Sequence, residues 1–402
     1  MVSPILRKYA TYLIAAALMV PAVLFSCQDT PSEKTGKVSK KRITETIDKL
    51  SALPTAVPIP DDNPLTPEKI ELGRLLFFDP ILSGNKDVAC ATCHHPDFGF
   101  SDGQDLSIGV NATGFGSHRT FNTPNDIPFV KRNSQSVLNT AFNGLVLNAQ
   151  VNPSASPMFW DVRAESLEKQ SLEPIKALEE MRGHAYPLEK ALATVTNRLT
   201  KIPAYQTLFK KAFSEKDPIT TENMAKAIAS YERTLVSNNS RFDQYMRGDK
   251  SALSSYELEG LAAFLKSGCA QCHNGPMFSD FKIHNIGVPD NEKNSVSDSG
   301  VNKQYSFRTA SLRNLSFTYP YMHTGKFGTL QQVLEFYEDL GNGKIANPNV
   351  TANNIDPLTK NIAVDFKNIK LIVDFLNTLN DNYDKSIPPN VPSGLPSGGN
   401  IK

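Results

Sequence analysis

Two short runs set a histidine directly behind a cysteine pair: Cys90-Ala-Thr-Cys93-His94 and Cys269-Ala-Gln-Cys272-His273. This is the spacing that attaches haem c. Two thiols add across the vinyl groups of one porphyrin, and the adjacent imidazole reaches the iron from the same side. Two runs predict two covalently bound haem c groups, with His94 and His273 as iron ligands. Other chemistries also use cysteine pairs. Two Cys-x-x-Cys pairs can build a tetrahedral zinc site, and disulfides form in an oxidising compartment. Neither needs a histidine after each second cysteine, which favours haem. Together the runs use four of the five cysteines.

The fifth, Cys27, lies in an export-like segment. Arg7 and Lys8 precede an apolar run from Tyr9 to Phe25, interrupted by Pro21, and Leu24-Phe25-Ser26-Cys27 closes it. That order reads as a signal peptide over 1–27. A cysteine at the first mature position is similar to a bacterial lipobox and predicts a lipid anchor at Cys27, hence a periplasmic protein held to a membrane. Phe25 departs from the small residue usual there, and an uncleaved anchor is the alternative. Either way the working part faces the periplasm or the cell exterior, where haem c is assembled. Residues 28–60 are polar, with Lys37, Lys40, Lys41 and Arg42 and then a proline-rich stretch, and read as a tether. The tail 386–402, rich in Pro, Gly and Ser, reads as disordered. With 42 basic against 41 acidic residues, charge gives no argument for nucleic acid as a partner.

The haem runs need elements to hold them, and the chain repeats itself weakly around each. Glu71-Leu72-Gly73-Arg74-Leu75-Leu76-Phe77-Phe78 precedes the first run, and Phe100-Ser101-Asp102 follows it. Leu258-Glu259-Gly260-Leu261-Ala262-Ala263-Phe264-Leu265 precedes the second, and Phe278-Ser279-Asp280 follows it. Ser254 and Glu257 form a capping box ahead of that helix. Each unit reads as helix, haem loop, further helices. The expected fold is mostly α, two cytochrome-c-like domains over 61–245 and 246–385, each carrying one covalent haem c. Polar stretches at 141–157, 290–304 and 341–360 read as loops.

Between the runs stand Phe159-Trp160-Asp161-Val162-Arg163-Ala164, then Leu167, Gln170, Pro174 and Glu180-Met181. Together with Leu76-Phe77-Phe78-Asp79-Pro80, Arg132-Asn133-Ser134, the stretch 309–325 and both haem runs, this block resembles the bacterial di-haem cytochrome c peroxidase and MauG family. The resemblance runs from about residue 65 to 379. It implies that the N-terminal haem, on His94, is the peroxidatic one and that hydrogen peroxide is the substrate. A small c-type cytochrome or another redox protein would donate electrons through the C-terminal haem. Glu180 falls at the family's distal acid–base carboxylate, and one carboxylate can take a proton from one peroxide oxygen and return it to the departing one. Gln170 and Pro174 are spaced i, i+4 and share a helix face. Pro174 can end or kink that helix and let Glu180 approach the same pocket. Trp160, the single tryptophan, would relay electrons between the haems; most lone tryptophans are core residues, and a relay must be buried as well. Asn133, Thr318 and Pro320 match positions that bind one calcium ion between the domains, where neutral oxygens suit a hard cation. His284 and His323 would bond haem propionates, and His184 would line the pocket entrance or face solvent.

Two positions decide the branch. Family members that need reductive activation carry a blocking histidine on a loop where this chain has Ser107-Ile108-Gly109-Val110. The sixth position of the first iron is therefore expected open, with His118 as the alternative ligand. Tyr319-Pro320-Tyr321-Met322-His323 matches the signature ahead of the second haem's sixth ligand, and counting on from His323 puts Tyr337 where the peroxidases hold methionine and MauG holds tyrosine. Leu330, Val333, Leu334 and Tyr337 fall at i, i+3, i+4, i+7 on one apolar helix face; Met322 and Met277 are the rival ligands. A tyrosinate oxygen favours ferric iron and a soft thioether ferrous iron, and axial ligands move haem potentials over about 0.8 V. Three functions follow: a peroxidase, a MauG-like oxidase of a partner protein's side chain, or a non-enzymatic electron carrier.

Overall fold

The computed structural model describes residues 47–382 and 391–400. The export segment, Cys27 and the basic cluster lie outside them. Helices α1 (Pro67–Phe78), α2 (Leu167–Lys176), α3 (Ala191–Leu199), α4 (Pro203–Ala212) and α5 (Thr221–Glu232) build a first body. Helices α6 (Arg241–Met246), α7 (Ser255–Lys266), α8 (Leu330–Gly341) and α9 (Phe366–Asn377) build a second. Strands are confined to two small antiparallel pairs, β1 (Ala112–Thr113) with β2 (Thr120–Phe121), and β3 (Ile283–His284) with β4 (Phe307–Arg308). The mostly helical expectation holds.

Capping explains where these helices start. Thr66 accepts from Lys69 N ahead of α1, with Pro67 at the first position. Ser254 and Glu257 form the expected reciprocal box ahead of α7. Two apolar cores then hold the bodies. Leu72, Phe77, Ile175, Val195, Phe209 and Ile228 meet in the first. Phe242, Leu261, Phe264, Phe278, Ile372 and Phe375 meet in the second. Each such side chain contributes about 1.5–3 kcal/mol by leaving water.

The repeat has a steric counterpart. A Cβ on Gly73 of α1 would lie 1.9 Å from the Ala227 carbonyl oxygen on α5, and one on Gly260 of α7 would lie 2.1 Å from that of Leu371 on α9. In each body the helix before the haem run therefore crosses the last helix at backbone contact. A polar seam joins the bodies: Ser237 N donates to Asn139 Oδ1 (2.7 Å) and Asn314 Nδ2 to Ser237 Oγ (3.0 Å).

Two expectations are corrected. The expected tether is built into the fold from residue 47 on: Leu50 and Leu53 are buried, Gly275 N donates to Lys49 O, and Leu53 N donates to the buried Asp243 carboxylate. The expected disordered tail docks on the first body at residues 391–400, where Ser397 Oγ donates to Asp79 Oδ1 (2.5 Å) and Leu395 packs on the core. Composition spoke for solvent in both segments, but a few apolar residues and two buried carboxylates, Asp243 for one and Asp79 for the other, supplied partners. Among the described residues, no helix is long and apolar enough to cross a membrane.

Candidate active site

Cys90–Cys93 forms a single helical turn, and Cys269–Gln271 a 3₁₀ turn. Neither cysteine pair is a disulfide. Behind each turn the repeated Phe-Ser-Asp fixes the histidine: His94 Nδ1 lies 3.2 Å from Phe100 O, and His273 Nδ1 lies 3.0 Å from Phe278 O. A carbonyl only accepts, so Nδ1 carries the proton and Nε2 presents its lone pair, the tautomer that ligation needs. Phe100 and Phe278 hold φ at 58° and 51° to aim those carbonyls, a backbone region that bulky residues rarely adopt. Burial pushes His94 down to about 4 and His273 in the same direction, which keeps both imidazoles neutral.

Both runs open on one cavity of about 390 Å³, lined by Cys93, His94, Cys269, Cys272 and His273. Cys90 lines a smaller adjoining space shared with Cys93 and His94. The wall fits two haem c groups and not a shared zinc. Among the described residues, the one potential ligand cluster is Cys272, Asp280 and His284, which contains a single motif cysteine. Arg308 supplies a second mark of a missing anion: buried, pushed down to about 10 by burial, it bonds Phe159 O and Gln135 Oε1 and pairs with no carboxylate among the described residues. A guanidinium placed this way suits porphyrin carboxylates.

Gln170, Pro174 and Glu180 line this cavity with His94, as the spacing predicts. Pro174 sits inside α2, which runs on to Lys176 before the chain turns at Ala177 into a π-helical turn, Leu178–Arg182, that carries Glu180. Burial pushes the Glu180 carboxyl up to about 7, Glu179 adding in the same direction and Arg163 opposing. Gln170 Oε1 is buried without a hydrogen-bond partner among the described residues. The loop at 107–110 presses on this turn: a Cβ on Gly109 would lie 2.2 Å from the carbonyl oxygens of Glu179 and Glu180. Val110 is buried there, against Gly183. His118 is exposed and His184 pairs with Asp126 at the surface, and neither lines the cavity.

Trp160 stands where the bodies meet. Its Nε1 donates to Asn133 O (3.0 Å), its carbonyl accepts from Arg308 N (2.8 Å), and its ring meets His323 edge-on at 6.2 Å. His323 stacks on Phe307 at 3.5 Å. On the second side Leu330, Val333, Leu334 and Tyr337 of α8 all line the cavity, so the expected apolar face does look inward. Burial raises the Tyr337 phenol well above its ordinary value, with the Cys269 and Cys272 sulfurs adding. Met277 and Met322 line the same cavity. His284 lies between Asp356 (2.6 Å) and Asp280 (3.0 Å), and hydrogen bonding, led by Asp280, pushes it up to about 11. Asn133, Thr318 and Pro320 share the wall at the seam. Asn133 Nδ2 donates to the Gln104 and Asp105 carbonyls, and its own carbonyl accepts from Trp160.

A family profile described as di-haem cytochrome c peroxidase matches residues 67–251. Methylamine utilization protein MauG of Methylorubrum extorquens is 38% identical over 289 residues, 71% of this chain and 72% of that protein. The chain belongs to the di-haem cytochrome c peroxidase family. Cytochrome c551 peroxidase of Nitrosomonas europaea is 35% identical over 289 residues, 69% of this chain and 76% of that protein. A solved structure of a MauG-like protein associated with microbial copper homeostasis superposes with a TM-score of 0.66 at 25% identity, covering 84% of this chain and 97% of that one. As in this family, the fold is two cytochrome-c-like domains, and the two Cys-x-x-Cys-His runs account for its two haems.

Two cavity residues of this di-haem peroxidase escaped the sequence reading. Arg308 carried no local signal. Glu232 did: Met224, Ile228 and Glu232 are spaced i, i+4, i+8 on α5, a carboxylate in line with two buried apolar residues.

Proposed function

We propose that the chain reduces hydrogen peroxide to water, with electrons from an external redox protein entering at the C-terminal haem and passing to the N-terminal one. The observation that carries this reading is Glu180, a carboxyl held near neutrality on one cavity wall with Gln170, Pro174 and His94. Haem iron supplies the peroxide-binding position and the one-electron steps. Glu180 takes the proton from one peroxide oxygen and delivers it to the other, which leaves as water. A carboxyl with a pKa near 7 serves both directions, since it gives and accepts a proton at similar cost. Gln170 orients the substrate, and Pro174 shapes the wall that excludes bulk water.

Trp160 relays electrons across the seam, held by Asn133 from one body and Arg308 from the other. With Val110 buried and His118 at the surface, no loop histidine reaches the first haem's open side. A haem held by His94 would then be open to peroxide without prior reduction. Tyr337, on the cavity wall with His273, would hold the second haem's iron, whose positive charge would offset the burial that raises its phenol. That ligand and the 38% identity to MauG favour a second reading, peroxide-dependent oxidation of a partner protein's side chain. Asn133, Thr318 and Pro320 hold a calcium ion at the seam. The first body is the peroxidatic domain and the second receives electrons; the bounds expected between them, 61–245 and 246–385, shift so that α6 goes with the second core. The protein works outside the cytoplasm, lipid-anchored at Cys27.

Glu180→Gln tests the core of this. Both haems and their spectra should be retained while peroxide cleavage slows by about 10²–10⁴-fold. Turnover at the wild-type rate would remove Glu180 from the chemistry.

A further inference from the structure

Reducing one peroxide breaks its O–O bond, forms two waters and consumes two electrons and two protons. Glu180 as a shuttle moves a proton from one oxygen to the other and supplies none of the net pair. Electrons arrive through the haems, but protons must cross a wall of buried residues. The structure offers a second acid at that wall. Glu232, the last residue of α5, is only 3% exposed, and its Oε2 is buried without a hydrogen-bond partner among the described residues. It lines both the haem cavity and the adjoining space of about 40 Å³ at the haem-attachment run, where Cys90, Cys93 and His94 meet Gln170, Pro174 and Glu180. Gln170 Oε1, in the same wall, is the other buried acceptor left without a partner.

We propose that Glu232 is the proton-relay residue of this pocket, passing to Glu180, past the Gln170 amide, the two net protons that the remaining oxygen takes up as the two electrons arrive. Two orphaned buried oxygens on one wall are what a hydrogen-bonded proton path requires, since each would otherwise stand unsatisfied at a cost of about 1–3 kcal/mol. The surroundings keep Glu232 supplied with its proton. Burial pushes it up to about 8, and Glu168 adds, against the opposing Arg233. Arg233 is committed elsewhere, with its Nη1 and Nη2 on the Glu168 carboxylate at 2.5 and 3.0 Å. Across the space stand Glu180 and the Cys90 sulfur, which becomes a neutral thioether once haem is attached. Glu232 acts through Glu180, not on peroxide itself. The proposal rests on the peroxidase reading above.

The test compares the di-haem wild type with Glu232→Gln and Glu180→Gln, using hydrogen peroxide as substrate and ascorbate with a small mediator as reductant. In Glu232→Gln the first peroxide should be cleaved at the wild-type rate, while sustained turnover at neutral pH falls by about 10²-fold. The wild-type decline on the alkaline side, near pH 8, should vanish. An infrared pH-difference spectrum should show a protonated carboxyl band titrating near pH 8 in the wild type and in Glu180→Gln, and Glu232→Gln should lose that band while keeping the Glu180 band near pH 7. Wild-type sustained turnover and an unchanged pH profile in Glu232→Gln would overturn the relay. If that variant fails to take up haem, the spectrum of Glu180→Gln decides: no protonated carboxyl band at neutral pH also overturns it. An unslowed first turnover in Glu180→Gln would instead sink the peroxidase reading and leave the relay without a reaction to serve.

Discussion

At the scale of single residues the site is governed by what each buried atom lacks. Phe100 and Phe278 accept a rare backbone conformation so that a carbonyl can fix the imidazole tautomer, and the strain recurs at the same place in both halves. The Phe-Ser-Asp repeat was visible in the sequence; its purpose was not, because a main-chain carbonyl leaves no trace in residue type. Gln170, Pro174, Glu180 and Tyr337 were legible through family spacing and helical periodicity. Arg308 was not, since its meaning depends on having no acid nearby. Tyr337 makes a sharp prediction. A hard anionic oxygen stabilises the ferric second haem, and a soft neutral sulfur would not. Tyr337→Met should raise that haem's midpoint potential by a large part of the roughly 0.8 V that axial ligands span. Redox titration followed at the low-spin band measures it, and an unchanged potential would turn the ligand search to Met322 and Met277.

The helices were readable because capping and periodicity are local. Thr66, Ser254 and Thr329 each sit at an N-cap, accepting from the backbone three residues on. The π-helical turn under Glu180 could not be read, since it arises from where α2 breaks and from the loop at Gly109 packed on it. Helix crossings carry their own prediction. Gly73→Ala gains up to about 1 kcal/mol of helix propensity, but its Cβ would meet the Ala227 oxygen at 1.9 Å. Backbone cannot yield as a side chain does, so overpacking should win and cost about 1–3 kcal/mol net. Gly260→Ala should behave alike against Leu371. Lower urea midpoints for both holoproteins would confirm the crossings, and a stabilised variant would show that the helices are free to separate.

Across the whole molecule, burial of carboxyls ties stability to pH. Glu180 and Glu232 rise from an ordinary 4.5 to about 7 and about 8 in the folded state. The folded state then holds protons that the unfolded chain releases, so their contribution is complete below about pH 4.5 and is lost as pH rises through 7 to 8. The loss approaches about 1.4 kcal/mol per pH unit for each group. Asp298 works in the opposite sense: bonding to Arg132 holds it at about 2, and its contribution is lost only in strong acid. Thermal unfolding of Glu232→Gln between pH 5 and 8 should therefore fall less steeply than that of the wild type, and parallel curves would mean that Glu232 is not protonated in place. The proposed arrangement, an open first haem beside Glu180 and a second haem that passes electrons to it, is put to its plainest trial by mixing the all-ferric protein with one equivalent of hydrogen peroxide. The high-spin absorption should bleach at once, without any prior reduction, and should do so far more slowly in Glu180→Gln. A ferric protein inert to peroxide until one haem is reduced would contradict the account.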